Sequence, residues 1–163
     1  GIRVPMIVRW PDVVQPQTEI ERPVIGYDLL PTMVDWAGGN PPKCDGESFA
    51  DSLRGKSSAT GEPRSLIWHF PYYHPEKGFA KAPDSIGIDD FATSRTRPQS
   101  AIRRGRYKLL QFAEDNRVEL YDLSSDIGEQ KDLSTQQAEL TSQLRRELQR
   151  TLQQHNARFP VAK

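Results

Sequence analysis

The stretch "SAIRRGRYKLLQFAEDNRVELYDL", residues 100–123, decides the fold. Two β-prone runs flank Arg104 and Gly105, and glycine can take the positive φ that a tight hairpin turn requires. A third β-prone run, residues 117–123, follows the "EDN" turn. The stretch therefore predicts three consecutive strands of a small antiparallel sheet.

A covering helix is predicted after the sheet, over residues 134–156. Ser134 and Gln137 have the spacing of a capping box, which marks a helix start. Leucines recur every four residues and predict a buried stripe, at Leu140, Leu144, Leu148 and Leu152. Together with a strand that begins at Ser65, they predict that residues 65–163 form a subdomain of antiparallel sheet plus one long helix.

The sequence of residues 1–64 predicts different secondary structure from that of residues 65–163. The apolar run "VPMIVRW", Val4–Trp10, is typical of a strand buried on both faces. Asp28 can cap a helix that ends at Gly38 or Gly39, with Leu29 and Met33 on the face that packs on a core. Residues 40–64 predict a connection with one helical turn at "SFADSLRG". The fold class is thus α+β: a buried strand and helix, then a sheet covered by a helix.

Composition excludes several function classes. The 163 residues contain 22 basic and 22 acidic side chains, so no net field favours nucleic acid or an anionic membrane. The single cysteine, Cys44, allows neither an internal disulfide nor a cysteine zinc site, and its neighbours do not predict an activated thiol. No apolar run approaches the roughly 18 residues of a membrane span, and no signal-peptide pattern opens the chain.

An acidic tract, residues 119–133, could hold a metal or form turns. A calcium-binding EF-hand loop counted from Asp122 needs glycine at its sixth position and glutamate at its twelfth, but Ile127 and Leu133 stand there. Asp126 and Gly128 suit a turn, and acidic residues before a helix start are favourable. The spacing therefore favours turn and cap chemistry over a metal site.

The aromatic segment "HFPYYH" supplies the candidate binding residues, His69, Tyr72, Tyr73 and His74. It contains proline and lacks helical spacing, so metal coordination from one helix face is not indicated. A long irregular loop follows, residues 74–99, and such loops often carry function. Two interpretations stay open: an aromatic mini-core beneath a loop, or the lining of a cleft for a polar ligand.

A basic run lies at the hairpin, formed by Arg103, Arg104, Arg106 and Lys108. Most of these side chains are expected to point to solvent, with an anion contact from one of them as the alternative. The chain has no G-x-S-x-G, P-loop or H-E-x-x-H motif. Its own residues therefore predict no complete catalytic site and no metal site.

The order of six motifs carries a family resemblance: "GIRVPMIVRWP", "YDLLPTMVDWAGG", "DGESFADSLRG", "LIWHFPYY", "SAIRRGRYKLL" and "ELYDLSSDIGEQKDLS". In this order they resemble the C-terminal part of sulfatases of the arylsulfatase type, which have an alkaline-phosphatase-like α/β fold. The likeness spans essentially the whole chain. One departure is Ile127, which stands where the family's last motif usually has proline.

The resemblance implies that the catalytic groups lie upstream. In such enzymes a C-x-P-x-R or S-x-P-x-R motif supplies a formylglycine nucleophile, beside a calcium ion held by acidic residues. "CDGES" around Cys44 does not match that motif. By this likeness, residues 1–64 are the end of the large sulfatase domain, and the chain is an inactive portion that packs on the catalytic domain and rims its substrate cleft.

Other interpretations stay open beside this one. The chain could be a non-catalytic carbohydrate- or peptide-binding module, or a phosphoesterase relative from the same superfamily. The expected partners are the N-terminal catalytic domain and a sulfate ester, and the family habit suggests periplasmic or secreted location. An isolated chain is expected to self-associate through its exposed strand edge.

Overall fold

The computed structural model describes residues 2–56, 63–71 and 98–159. It divides into two compact units, Gly1–Pro63 and Arg64–Lys163. Within the described ranges, no helix combines the length and the apolar character that crossing a bilayer would need.

The second unit is built on a four-stranded antiparallel sheet in which the strands lie side by side in chain order. Arg104 pairs with Tyr107, so the hairpin turn consists of Gly105 and Arg106, and Gly105 has a φ of 58°. The predicted hairpin and following strand are confirmed, with the turn one residue later than predicted. The strands are β1 Ser65–Phe70, β2 Gln99–Arg104, β3 Tyr107–Phe112 and β4 Val118–Asp122.

One long helix, Ala138–Gln154, packs on this sheet and closes its core. We number it α3, after two shorter helices in the first unit. Three of its four predicted leucines are buried, and Leu140 packs against them as a half-buried neighbour. The core consists of Ile102, Leu109 and Leu120 from the sheet and Leu144, Leu148 and Leu152 from the helix.

The predicted helix bounds, residues 134–156, are wrong at both ends. Ser134 does not cap α3, because its backbone N–H and its hydroxyl both donate to the Asp132 carboxylate, at 2.8 and 2.9 Å. Such a local side-chain turn competes with helix formation, and α3 begins four residues later. At the other end Asn156 takes a φ of 50°, the left-handed conformation that commonly ends a helix.

The outer edge of β4 is covered by the chain that leads to α3. The Leu133 N–H donates to the Leu120 carbonyl oxygen at 2.8 Å, and the Leu120 N–H donates to the Asp132 carboxylate at 3.0 Å. These two bonds occupy backbone groups that an edge strand would otherwise leave open for pairing with another chain.

The first unit contains α1, Leu29–Trp36, and the single turn α2, Ala50–Leu53, as predicted. A 3₁₀ turn at Gly26–Asp28 leads into α1. The Asp28 side chain does not cap α1. Its carboxylate instead accepts the backbone N–H of Ile25 at 2.9 Å and that of Glu47 at 3.0 Å.

Two predictions for the first unit are wrong. Residues 4–10 form no strand, and Val4 and Ile7 are 75% and 94% exposed. The face of α1 that should pack on a core is also open, with Leu30 53% and Met33 57% exposed. A strand buried on both faces needs neighbouring strands, and none of the described residues supplies one.

Candidate functional site

His69 is the predicted site residue that the structure describes, and both of its ring nitrogens are engaged. It lies near the end of β1 opposite Ser100 on β2. Its Nδ1 is 2.8 Å from the Ser100 hydroxyl, and its Nε2 is 2.7 Å from the Arg158 carbonyl oxygen. The Phe159 ring packs against the imidazole edge to face, at 5.2 Å between centroids. His69 therefore joins the end of the described chain to the sheet.

The partners of His69 fix its hydrogen-bond roles. A carbonyl oxygen can only accept, so Nε2 must carry the proton and donate to Arg158. In the neutral ring Nδ1 then accepts from the Ser100 hydroxyl. For His69 to act as a general base or to bind a substrate oxygen, one of these two bonds must open.

Tyr72, Tyr73 and His74 lie outside the described residues. Whether they join His69 in one cleft stays a prediction.

The acidic tract forms the turns that its spacing predicted. The Asp122 carboxylate accepts the N–H and the hydroxyl of Ser124, at 3.1 and 2.6 Å. Asp126 accepts the N–H groups of Gln130 and Lys131, at 2.9 and 2.8 Å. No group of three or more metal-ligating side chains occurs among the residues that the structure describes. Because these oxygens are already occupied by the chain's own donors, the tract does not fit a calcium ion.

Hydrogen bonds and charge change the ionisation of two carboxyl groups in the tract. The Ser124 hydroxyl is the main influence that lowers the pKa of Asp122, and its neighbour Arg106 adds to the effect. Burial alone would raise the pKa of Asp132. The N–H groups of Leu120 and Ser134 outweigh burial, so that the pKa lies below its ordinary value.

Burial also raises the pKa of Tyr121, which directly precedes Asp122, and the nearby negative charge of Asp132 adds to the rise.

Lys108 and Glu129 form an ion pair that the sequence interpretation missed. The Lys108 side chain is 10% exposed, and its Nζ is 2.6 Å from both Glu129 carboxylate oxygens. Glu129 has a φ of 54°, a conformation that side-chain-bearing residues rarely adopt. A lysine on the strand face opposite the core residue Leu109, followed by an acidic loop, was the signal that could have indicated this pair.

The basic run at the hairpin is paired within the chain. Each of its four side chains contacts an oxygen: Arg103 the Gly105 carbonyl, Arg104 Glu147, Arg106 Asp122 and Lys108 Glu129. Only Arg106 of the four is exposed, so the prediction that most of these side chains simply point to solvent is wrong. An anion contact stays a prediction, and it would compete with these pairs.

The "YDLLPT" and "DGES" motifs of the first unit are packed together. Thr32 donates its hydroxyl to the Asp28 carbonyl oxygen at 2.7 Å and accepts the Phe49 N–H at 3.1 Å. A Cβ atom on Gly46 would lie 2.1 Å from the Tyr27 carbonyl oxygen. Glycine is therefore required where the two motifs meet.

A groove of about 540 Å³ also lies in the first unit, between residues 6–24 and the side chains of Phe49 and Leu53. Its lining is mainly apolar. Two of its lining residues are cations: Arg9 is exposed, and Arg22 pairs with Glu47 at 3.1 Å and bonds the Ser48 carbonyl oxygen. The groove thus presents apolar surface rather than an assembled catalytic group.

The fold is shared with a solved sulfatase candidate and with a solved phosphonate hydrolase. A crystal structure of a candidate sulfatase from Bacteroides thetaiotaomicron matches with a TM-score of 0.57 and 26% identity, over 80% of this chain and 25% of that one. The phosphonate monoester hydrolase of Silicibacter pomeroyi matches with a TM-score of 0.59 and 23% identity, over 90% of this chain and 28% of that one. The second likeness shows the fold alone.

The sequence assigns the family more narrowly. The family model for the C-terminal region of N-sulphoglucosamine sulphohydrolase matches residues 1–157, and the chain belongs to this family. A sulfatase of Formosa agariphila is 31% identical over 96% of this chain. The chain spans about a quarter of the length of such relatives, 28% in that case. The resemblance to the C-terminal part of sulfatases is confirmed.

Proposed function

We propose that this chain is the C-terminal portion of an enzyme that hydrolyses sulfate esters. The observation that carries the proposal is the match of the sulfatase family model to residues 1–157. The family match favours this function over a stand-alone carbohydrate- or peptide-binding module, which would have no reason to keep the sulfatase motifs in order.

The nucleophile and the metal of the proposed enzyme belong to the part of the parent protein that precedes this chain. That part would supply a formylglycine and a calcium ion, and the chain alone would be inactive. Three features of the described residues support this division. The carboxylates of the acidic tract are occupied by backbone donors, the basic residues of the hairpin are paired, and Cys44 lies outside any C-x-P-x-R motif. The family habit further suggests a periplasmic or secreted enzyme.

A direct assay tests the reaction. The parent protein, produced with the formylglycine-generating machinery, is incubated with an aryl sulfate, an aryl phosphate and an aryl phosphonate under the same conditions. We expect the highest kcat/KM for the sulfate, and loss of activity after calcium chelation. A preference for the phosphate or phosphonate would instead support the phosphoesterase alternative, for which the shared fold with a phosphonate hydrolase is the supporting observation. No turnover of any ester would contradict both proposals.

We further propose that the segment around His69 contributes to substrate selection at the rim of the cleft. The supporting observation is that His69 is half-buried and joins β1 to the chain after α3, next to the aromatic segment that contains Tyr72, Tyr73 and His74. A shift of this junction would move that segment relative to a bound ester.

The variant His69→Ala in the parent protein tests this role, with His155→Ala as the control. His155 is exposed and lies directly after α3, away from the β1 strand in sequence. We expect His69→Ala to raise KM for the natural ester more than it lowers kcat, while His155→Ala changes neither. Unchanged kinetics in His69→Ala would exclude the proposed role.

A further inference from the structure

The second half of the chain separates positive from negative charge, although the whole chain is neutral. Residues 114–132 contain seven acidic and two basic side chains. Residues 140–159, which include most of α3, contain one acidic residue, Glu147, and four arginines: Arg145, Arg146, Arg150 and Arg158. The positive charge is therefore concentrated on one helix and the segment after it, where it creates a local field that the neutral total does not indicate.

The side of α3 that faces away from the sheet consists of arginine and glutamine. The leucines at positions 144, 148 and 152 pack on the sheet, and every exposed side chain over residues 143–153 lies on the other side. These exposed residues form the α3 outer face: Gln143, Arg146, Gln149, Arg150 and Gln153. Each of them can donate hydrogen bonds, and none is acidic. None is apolar either, so the face lacks the apolar surface of a helix that lies on a membrane.

Arg146 and Arg150 hold two positive charges together without compensation. They lie one helical turn apart, where like charges repel and weaken a helix. The other side chains three and four positions from Arg146 are serine and glutamine. Glu147 is the nearest acidic residue in sequence, but its carboxylate already accepts the Ser65 hydroxyl and pairs with Arg104 at 2.9 Å. Neither Arg146 nor Arg150 forms an ion pair with the residues that the structure describes.

We propose that the α3 outer face binds a sulfated polysaccharide chain. The inference rests on the proposed function, because an enzyme that hydrolyses sulfate esters acts on substrates that carry sulfate groups. Guanidinium groups bind oxyanions through paired N–H donors, and two of them one turn apart fit a ligand with repeated anionic groups. The glutamine amides beside them can donate hydrogen bonds to sugar hydroxyl groups and accept bonds from them. Binding here would keep a polymer on the enzyme while its esters are hydrolysed.

A nucleic acid fits this face less well. Domains that bind nucleic acid usually carry a strong net positive charge, but this chain is neutral, and the acidic tract lies in the same unit as α3. Proteins that bind single strands also supply aromatic side chains on which bases stack, and the α3 outer face contains none. The combination of two arginines with glutamines therefore favours a sulfated sugar polymer.

Binding of dextran sulfate by the whole parent protein tests the proposal, with uncharged dextran as the ligand control. The test variant carries Arg146→Gln and Arg150→Gln, and glutamine is about as good a helix former as arginine. The control variant carries Arg54→Gln and Arg117→Gln, which removes the same charge from arginines that have acidic partners.

We expect calorimetry to show at least about tenfold weaker binding in the test variant and a change within about twofold in the control variant, because only the unpaired arginines meet the polymer. The affinity of the test variant should also depend less steeply on salt concentration, because two fewer counterions are displaced from the polymer. Equal affinities in the original protein and the test variant would overturn the proposal, as would no binding by the original protein. An equal loss in the control variant, or equally tight binding of DNA, would overturn it too.

Turnover of an aryl sulfate by the same preparations is measured separately, because a small ester does not need the α3 outer face. We expect the same kcat/KM in the original protein and in both variants. Polymer binding that depends on Arg146 and Arg150, without any turnover, would contradict the proposed reaction and leave the binding face standing. Turnover together with unaltered polymer binding in the test variant would do the opposite.

Discussion

Gly46 lies at the residue-level contact that joins two sequence motifs. A Cβ atom there would meet the Tyr27 carbonyl oxygen at 2.1 Å, which is backbone and cannot rotate away. We expect Gly46→Ala to lower the free energy of unfolding by about 1–3 kcal/mol, the usual cost of overpacking. Urea unfolding followed by tryptophan fluorescence measures this loss, since Trp10 and Trp36 are in the same unit and pack edge to face.

The control for this variant is Gly26→Ala. A Cβ atom on Gly26 has no heavy atom within 4 Å, and its φ is not in the left-handed region. We expect Gly26→Ala to change stability little or to increase it slightly. Equal losses in the two variants would show that the close approach to Tyr27 is not the cause.

Asp132 makes the stability of the sheet unit depend on pH. Desolvation alone would raise its pKa, but backbone N–H groups and Ser134 stabilise the carboxylate, so that the pKa in the folded protein lies below the ordinary value of 3.8. A lowered folded pKa contributes stability that is present above the unfolded pKa and is lost as the pH falls through the folded one. We expect the free energy of unfolding to decrease below a pH of about 4.

The Asp132→Asn variant isolates this contribution. Its amide oxygen can still accept a hydrogen bond from Leu120 or Ser134, but it carries no charge. We expect a lower midpoint of thermal unfolding at pH 7 and a weaker decrease below pH 4 than in the original protein, measured by circular dichroism. An identical pH profile in both proteins would contradict the assignment.

Burial of α3 against the sheet is the main contact between elements in the second unit. Leu148 is fully buried among Ile102, Leu109 and Leu120. We expect Leu148→Ala to cost about 2–5 kcal/mol, because the cavity adds to the loss of apolar burial. Chemical unfolding measures the difference, and the exposed neighbour Gln149→Ala is the control. A loss below about 1 kcal/mol for Leu148→Ala would mean that α3 does not close the core as described.

Elements with local signals were predictable from the sequence. The hairpin follows from glycine at its turn, and three of the four leucines on α3 are buried as their spacing predicted. The start of α3 was not predictable from a capping pattern, because the N–H and the hydroxyl of Ser134 donate hydrogen bonds to the Asp132 carboxylate instead. The prediction of a strand at residues 4–10 was wrong for a different reason. Its composition is that of a buried strand, but a strand also needs neighbours, which a local pattern cannot supply.

The candidate site was predictable only in part, since its contacts join distant segments. The aromatic neighbours of His69 in the sequence indicated a binding residue, but its hydrogen bond to Arg158 joins residues that are 89 positions apart. The Lys108–Glu129 pair crosses 21 positions and depends on the unusual backbone of Glu129. The turn chemistry of the acidic tract was predictable, because each carboxylate bonds donors only a few residues away.

At the scale of the whole molecule, exposed apolar surface should make the isolated chain self-associate. Ile7 is 94% exposed and Val4 75%, within a segment that forms no strand with the described residues. Extended apolar segments of this kind pair readily with other chains. We expect sedimentation velocity of the isolated 163-residue chain to show a sedimentation coefficient that rises with concentration.

Three variants locate the surface responsible. A chain with both Val4→Asp and Ile7→Asp should remain monomeric at concentrations where the original chain associates, because charge opposes strand pairing. Ile127→Asp, in the other unit, should associate like the original chain. Met33→Asp tests helix α1 separately from the segment at residues 4–7. If association persists in this variant but is absent in the double variant, the extended segment is the surface responsible. A strictly monomeric original chain at the highest concentration would contradict the prediction.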